Sequence, residues 1–236
     1  MNRYELIEFA QARLDELVPA GQTPVASDML IGRELDQAYI WLATHLPVPV
    51  VYLLSKDDPT VTVTAASDVT GNVGYGIIDV PTDYLRFLMV KVDNWARPVA
   101  SLVTPDSNVY RLLWNQYHTA TYLNPVAAAV PANLDYHDVY GKLRSLGLQI
   151  QIFPYEESSD WPDSLETFAY VPVRPAEETP DLLIDALIWA AVRNVALILR
   201  QGDVAQYAEQ LLAASIANVR QQTAAETYLG PRQQQQ

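Results

Sequence analysis

Val80-Pro-Thr-Asp-Tyr-Leu-Arg-Phe-Leu-Met-Val-Lys-Val92 changes the character of the chain. Pro81-Thr82-Asp83 is a turn signal. Tyr84 to Val92 then continues in aromatic, β-branched and long apolar residues that read as a strand. The same reading extends outward on both sides. Thr60-Val-Thr-Val-Thr64 alternates with period two, and Tyr75-Gly-Ile-Ile-Asp-Val80 leads into the break. Ala96 to Val103 is expected to pair with Tyr84–Val92 across Asp93-Asn94-Trp95. Pro125 to Val130, Leu148-Gln-Ile-Gln-Ile-Phe153 and Leu165 to Val171 supply further strands, the last two stopped by Pro154 and Pro172. Asp106 to Tyr117 reads as a short helix with Val109, Leu112, Leu113 and Gln116 on one side. Residues 60–175 thus form a β-rich region with one embedded helix.

Both flanks are helical. From Arg3 to Leu17, Leu6, Ala10, Leu14 and Leu17 recur at helical spacing. Pro19-Ala-Gly21 ends that run. Ser27-Asp28 caps a second helix bearing Ile31, Leu35, Ala38, Leu42 and Leu46, closed by Pro47 and Pro49. Towards the other end, Thr179-Pro180-Asp181 combines a capping hydroxyl, a proline at the first helical position and an acid in the first turn. Leu183, Leu187, Ala190, Ala191, Asn194, Leu197 and Ile198 make the apolar or small face. Gly202 reads as the stop and Asp203 as the cap of a last helix with Val204, Ala208, Leu211, Leu212, Ser215 and Val219. The fold class is therefore α+β: a helical hairpin (1–46), the β-rich region (60–175) and a C-terminal helical pair (179–225). These read as one domain, 1–225. Residues 226–236 read as an extended tail. Tyr228, Leu229, Pro231 and Arg232 are its anchors for a partner, because Gln side chains bury too little apolar area to order a tail alone.

Of 236 residues, 28 are acidic and 15 basic, giving a net charge of −13. That balance opposes a grip on nucleic-acid phosphates, which needs clustered Lys and Arg, yet permits a duplex to pass without sticking. There is no Cys, so disulfides, thiolate metal sites and a Cys nucleophile are excluded. The N-terminus carries no apolar signal core, and the apolar runs Pro47–Leu54 and Leu182–Leu199 are too short or too interrupted to span a bilayer. The expectation is a soluble protein that stays where it is made. With 14 Tyr and five Trp against nine Gly, the composition suits interfaces or an aromatic core better than phosphate-cradling loops.

Catalytic signatures are missing. His45, His118 and His137 stand at no metal-ligand spacing. The acid pairs Asp57-Asp58, Glu156-Glu157 and Glu177-Glu178 point apart if regular and read as solvated loops. No nucleophile elbow occurs, and Gly71-Asn-Val-Gly74-Tyr-Gly76 lacks the Lys-Ser/Thr of a phosphate loop, so it reads as a turn between strands. The reading is not an enzyme, with no catalytic, cofactor-binding or metal residues and no cofactor. A hydrolase or glycan-binding module built from distant acids is the enzyme-like alternative. Ala186, Ala190, Ala191 and Ala196 permit close helix packing, either within the fold or between subunits.

Val80–Val92 with Trp95-Ala-Arg-Pro-Val99, then Leu148–Pro154, Phe168-Ala-Tyr-Val-Pro172 and the Ala-rich helix Leu182–Leu199 together resemble head–tail connector proteins of tailed bacteriophages. The likeness is to the ring or adaptor proteins of crAss-like phages and spans roughly Tyr75 to Arg200. It implies a structural virion protein, assembled in the bacterial host cytoplasm, that forms a ring around the DNA channel. Its implied partners are copies of itself in a dodecameric ring, the portal protein, neighbouring tail or ring proteins, and phage DNA in non-sticky passage. No membrane partner is implied. Another virion component, such as a tail terminator or cargo protein, is the alternative within that class.

Overall fold

The computed structural model describes residues 1–18, 26–67, 74–113, 120–131, 148–155 and 163–229. The architecture is mixed α and β, with helices at the N-terminal end, strands in the middle and a helical pair towards the C-terminus. Two compact units make up the chain, where the sequence reads as one domain over 1–225. A helical unit takes Met1–Ser55 and Val171–Gln236, and a β unit takes Lys56–Tyr170.

In the helical unit, α1 (Arg3–Leu17) and α2 (Asp28–His45) form as the apolar spacing requires. Asn2 and Glu5 make a reciprocal capping box on α1, and Ser27 caps α2 by accepting from the Leu30 N–H. Leu6, Ala10 and Leu14 of α1 are buried, as are Ile31, Leu35, Ala38 and Leu42 of α2. Pro47 and Pro49 do not simply close α2. Pro47 caps a further short helix, α3 (Val48–Val51), whose first turn tolerates Pro49, and the chain buries Val50, Val51 and Leu54 there.

Two C-terminal helices complete this unit: α5 (Ile184–Ile198) and α6 (Gly202–Leu229). α5 packs against α1, α2 and α6. Ala186, Ala190, Ala191 and Ala196 are all buried, so the small-residue face serves close packing inside the fold. Two sequence expectations change here. Thr179 does not cap α5: a 3₁₀ turn (Asp181–Leu183) intervenes, Leu183 stands at the cap, and the buried Thr179 hydroxyl has no hydrogen-bond partner among the described residues. Leu197 and Ile198 are exposed, because the helix ends before a neighbour reaches its last turn.

The stop after α5 is set by Arg200 rather than Gly202. Arg200 takes φ 59°. Its N–H donates to Leu197 O and the Gln201 N–H donates to Ala196 O, at 3.1 and 2.8 Å. This is a Schellman stop with an arginine where glycine is usual. Gly202 then opens α6. α6 buries Val204, Ala208, Leu212 and Val219. It runs on to Leu229, so Glu226–Leu229 are helical where an extended tail is expected. Ala224-Ala225-Glu226 are strong helix formers, and the Gly230-Pro231 stop signal comes only afterwards.

In the β unit a three-stranded sheet is ordered β1-β8-β4 and a five-stranded sheet β2-β3-β7-β6-β5. The strands are β1 (Lys56–Asp57), β2 (Val63–Ser67), β3 (Gly74–Asp79), β4 (Tyr84–Val92), β5 (Leu102–Val103), β6 (Val126–Pro131), β7 (Leu148–Phe153) and β8 (Leu165–Pro172). One core joins Val90, Val92, Phe168 and Tyr170 of the first sheet to Ile78, Ala127, Ile150 and Ile152 of the second, with Trp95 and Tyr155 among them. The two sheets therefore face each other across shared apolar side chains. Register places Ile78 opposite Ile150 and Gly76 opposite Ile152. A Cβ on Gly76 would meet Val63, Ile152 and Tyr155 at 2.6–2.9 Å. Glycine is required there by close packing, and Gly74–Asp79 is a strand rather than a loop.

Three details depart from the sequence pattern. β2 starts at Val63, not Thr60, because Asp58 accepts from both the N–H and the hydroxyl of Thr60 and holds a turn. Ala96–Val103 pairs with β4 only at Val99–Val90, while Leu102–Val103 runs parallel to β6. Finally, α4 (Asn108–Leu113) turns Leu113 into a small core with Ala120 and Phe153, to which Tyr110 packs. Val109 and Leu112 face solvent instead, and Gln116 lies outside the described residues.

Candidate interaction surface

The described histidine, Arg193 and the Asp57-Asp58 pair are tied up in structure. His45 stacks on Trp41 with 4.8 Å between ring centroids and hydrogen-bonds the Trp41 carbonyl. Arg193 lies 4.5 Å over the same indole and pairs with Glu209 at 2.8 Å. His118 and His137 lie outside the described residues, as does the Glu156-Glu157 pair. Asp57 accepts from the Phe168 N–H, and Asp58 from Thr60 and Lys56. Among the described residues no group of three His, Cys, Asp or Glu is placed to hold a metal ion, and no helix is long and apolar enough to cross a membrane.

Two polar clasps were not read from the sequence. Arg3 donates to Asp36 at 2.7 and 3.1 Å, to Gly32 O at 2.9 Å and to Glu177 at 3.2 Å. The hydrogen bonds from Arg3 hold the Asp36 carboxyl below its ordinary range. Gly32 lets the Arg3 guanidinium lie against the α2 backbone. In the β unit, Asp93 accepts from the N–H and hydroxyl of Ser164, while Asn94 donates to the buried Asp163. The Asp93-Asn94-Trp95 turn thus fastens the start of β8, a long-range pairing that spacing cannot reveal.

The surface least explained by folding is on α1 and α2. Tyr4 is 82% exposed and Met29 88% exposed, close to what an unfolded chain would show. A groove of about 340 Å³ lies along α1, with Asp28 at the start of α2 as its one described lining residue outside that helix. Tyr4, Ile7 and Ala12 give it apolar walls, and Glu8, Asp15 and Asp28 line it with carboxylates. Met29 follows Asp28 at the head of α2. Ion pairs of α1 involve Arg3 and Arg13, the latter with Glu16 at 3.0 Å; neither Glu8 nor Asp28 is paired among the described residues. The groove thus combines apolar side chains with three carboxylates. Such a surface suits a protein partner whose contact face is apolar and cationic.

Of the residues expected to anchor a partner, two are described. Tyr228 and Leu229 belong to the last turn of α6 rather than to an extended tail. Pro231 and Arg232 lie outside the described residues. The exposed Tyr4 and Met29 were missed because a helical pattern shows which side is polar, not which apolar side chain lacks a neighbour. Compared with known proteins, the chain matches no family model and no curated protein.

Proposed function

We propose that this chain is a structural subunit of a head–tail connector ring in a tailed bacteriophage, of the crAss-like adaptor kind. The observation that carries the reading on the structural side is the pair of exposed apolar side chains, Tyr4 and Met29, beside an acid-lined groove. Exposed apolar surface rimmed by charged groups is a usual mark of a contact site. The phage assignment comes from the sequence resemblance over Tyr75–Arg200 and from the net charge of −13, which suits passage of DNA without adhesion. In this reading the subunit joins the portal to the tail, surrounds the DNA channel and performs no catalysis.

Mass photometry and electron microscopy of the purified protein, alone and with a phage portal protein, test the proposal. The expected result is a closed ring of many copies that stacks on the portal. A chain that stays monomeric at all concentrations and ignores the portal overturns it. Tight retention of duplex DNA at physiological salt overturns the passive-channel part.

A further inference from the structure

The β unit carries the converse of the α1–α2 groove. Val109 and Leu112 stand one turn apart on α4, 43% and 44% exposed, and Arg111 is exposed between them. With Leu123, they are the exposed large apolar side chains of the described β unit. The inward side of α4 is fixed by Leu113 in its small core and by the Tyr110 hydroxyl, 3.0 Å from Gln151. The outward ridge therefore carries one cation, Arg111, whose charge Asp106 nearby offsets in part.

We propose that the α4 ridge of one copy seats in the α1–α2 groove of a second copy. Val109 and Leu112 meet Tyr4, Ile7 and Met29, and Arg111 meets the carboxylates of Glu8 and Asp15. The contact rests on the ring reading above and names what joins neighbouring subunits. Helices that dock in grooves use anchors at i and i+3, the spacing of Val109 and Leu112. Two copies of a protein with net charge −13 repel each other overall. A contact between them needs a local cation facing acids, and ridge and groove supply one of each. Because the two patches differ, each docked copy still offers a free ridge or groove, so the contact propagates head to tail and closes when its rotation divides a full turn.

Sedimentation velocity of the full chain over a concentration series tests the contact. The variants are Glu8→Arg with Asp15→Arg, Arg111→Glu, and all three together. Reversing either side is expected to raise the half-assembly concentration at least about 10-fold, and the combined variant to return it to within about 3-fold of the original. Met29→Ser and Leu112→Ser, both at exposed positions, are expected to weaken assembly without charge reversal. Rings that form equally well in every variant overturn this contact while leaving the connector reading intact. A combined variant as weak as the single-side reversals overturns it too. Assembly that stops at two copies yet follows the charge swap upholds the contact and removes the ring. A chain that is monomeric throughout removes both.

Discussion

The helical unit and the β unit solve the packing problem with different residues. The helical unit buries small side chains, with Ala38, Ala43, Ala186, Ala190, Ala191, Ala196 and Ala208 all inaccessible, and adds the Arg3–Asp36 clasp at its edge. The β unit is centred on rings. Phe168 lies 5.5 Å from Tyr170 by centroids, Tyr84 stacks on Tyr170, and Phe87 tilts against Phe168. Burial pushes the Tyr84 hydroxyl up to about 12. Tyr170 donates to Asp83 at 2.9 Å and accepts from Lys56 at 3.2 Å. Small residues allow backbones to approach, whereas large rings concentrate stability in a few positions. A single truncation should therefore hurt the β unit more than a single alanine-sized change hurts the helical one.

Phe168→Ala gives the largest expected effect, about 3–5 kcal/mol, since it removes a fully buried ring from the centre of the shared core. Hydrogen exchange should show protection falling throughout Lys56–Tyr170 while the amides of α5 keep theirs. Equal loss in both units would make the chain one cooperative block. Next comes Gly76→Ala at about 1–3 kcal/mol, because the added Cβ strikes Val63, Ile152 and Tyr155 and the strands must shift. Urea unfolding followed by Trp fluorescence measures it.

A smaller effect belongs to the helical clasp. Asp36→Asn should cost at most about 1 kcal/mol, since both partners are more than a third exposed and water screens the pair. The depressed Asp36 carboxyl stabilises the fold above its ordinary range, near 4. That contribution is lost as pH falls through the lower folded value. The acid limb of the stability curve should therefore flatten in Asp36→Asn, as thermal melts between pH 2 and 6, roughly the span around that range, would record. The smallest effect is Thr179→Val. Loss of a cap would cost about 1 kcal/mol. Removal of an unpartnered buried hydroxyl is neutral or slightly stabilising, and the observed geometry favours the second outcome.

Local regularities carried the sequence reading where they were strong. Leu6, Ala10 and Leu14 sit on one face of α1 whatever lies beyond it, and Ile150 and Ile152 alternate inward wherever β7 pairs. Hence the α+β order of elements and the bounds of α1 and β7 were legible. What escaped depends on partners far along the chain. Leu197 and Ile198 continue the apolar spacing of α5, but no element arrives to cover them. The Asp58–Thr60 turn outweighs the β propensity of the residues after it. The division into two units rests on β1 pairing with β8, Lys56 opposite Tyr170, which no local pattern encodes. The groove was illegible for the same reason. Tyr4 and Met29 are ordinary helix residues until the absence of a neighbour makes them a surface.

The helical unit is interrupted in sequence by the whole β unit, and synthesis makes that a matter of time. α2 emerges with Ile31, Leu35, Ala38 and Leu42 on one face, but α5, which covers it, begins only at Ile184. At roughly 5–20 residues per second, the wait is on the order of 10 s. The β unit is continuous and is complete in the meantime. The N-terminal hairpin thus spends most of that interval as a nascent apolar surface awaiting α5, because the β unit closes only with β8, shortly before Ile184; that is the stage at which a chaperone has most to bind.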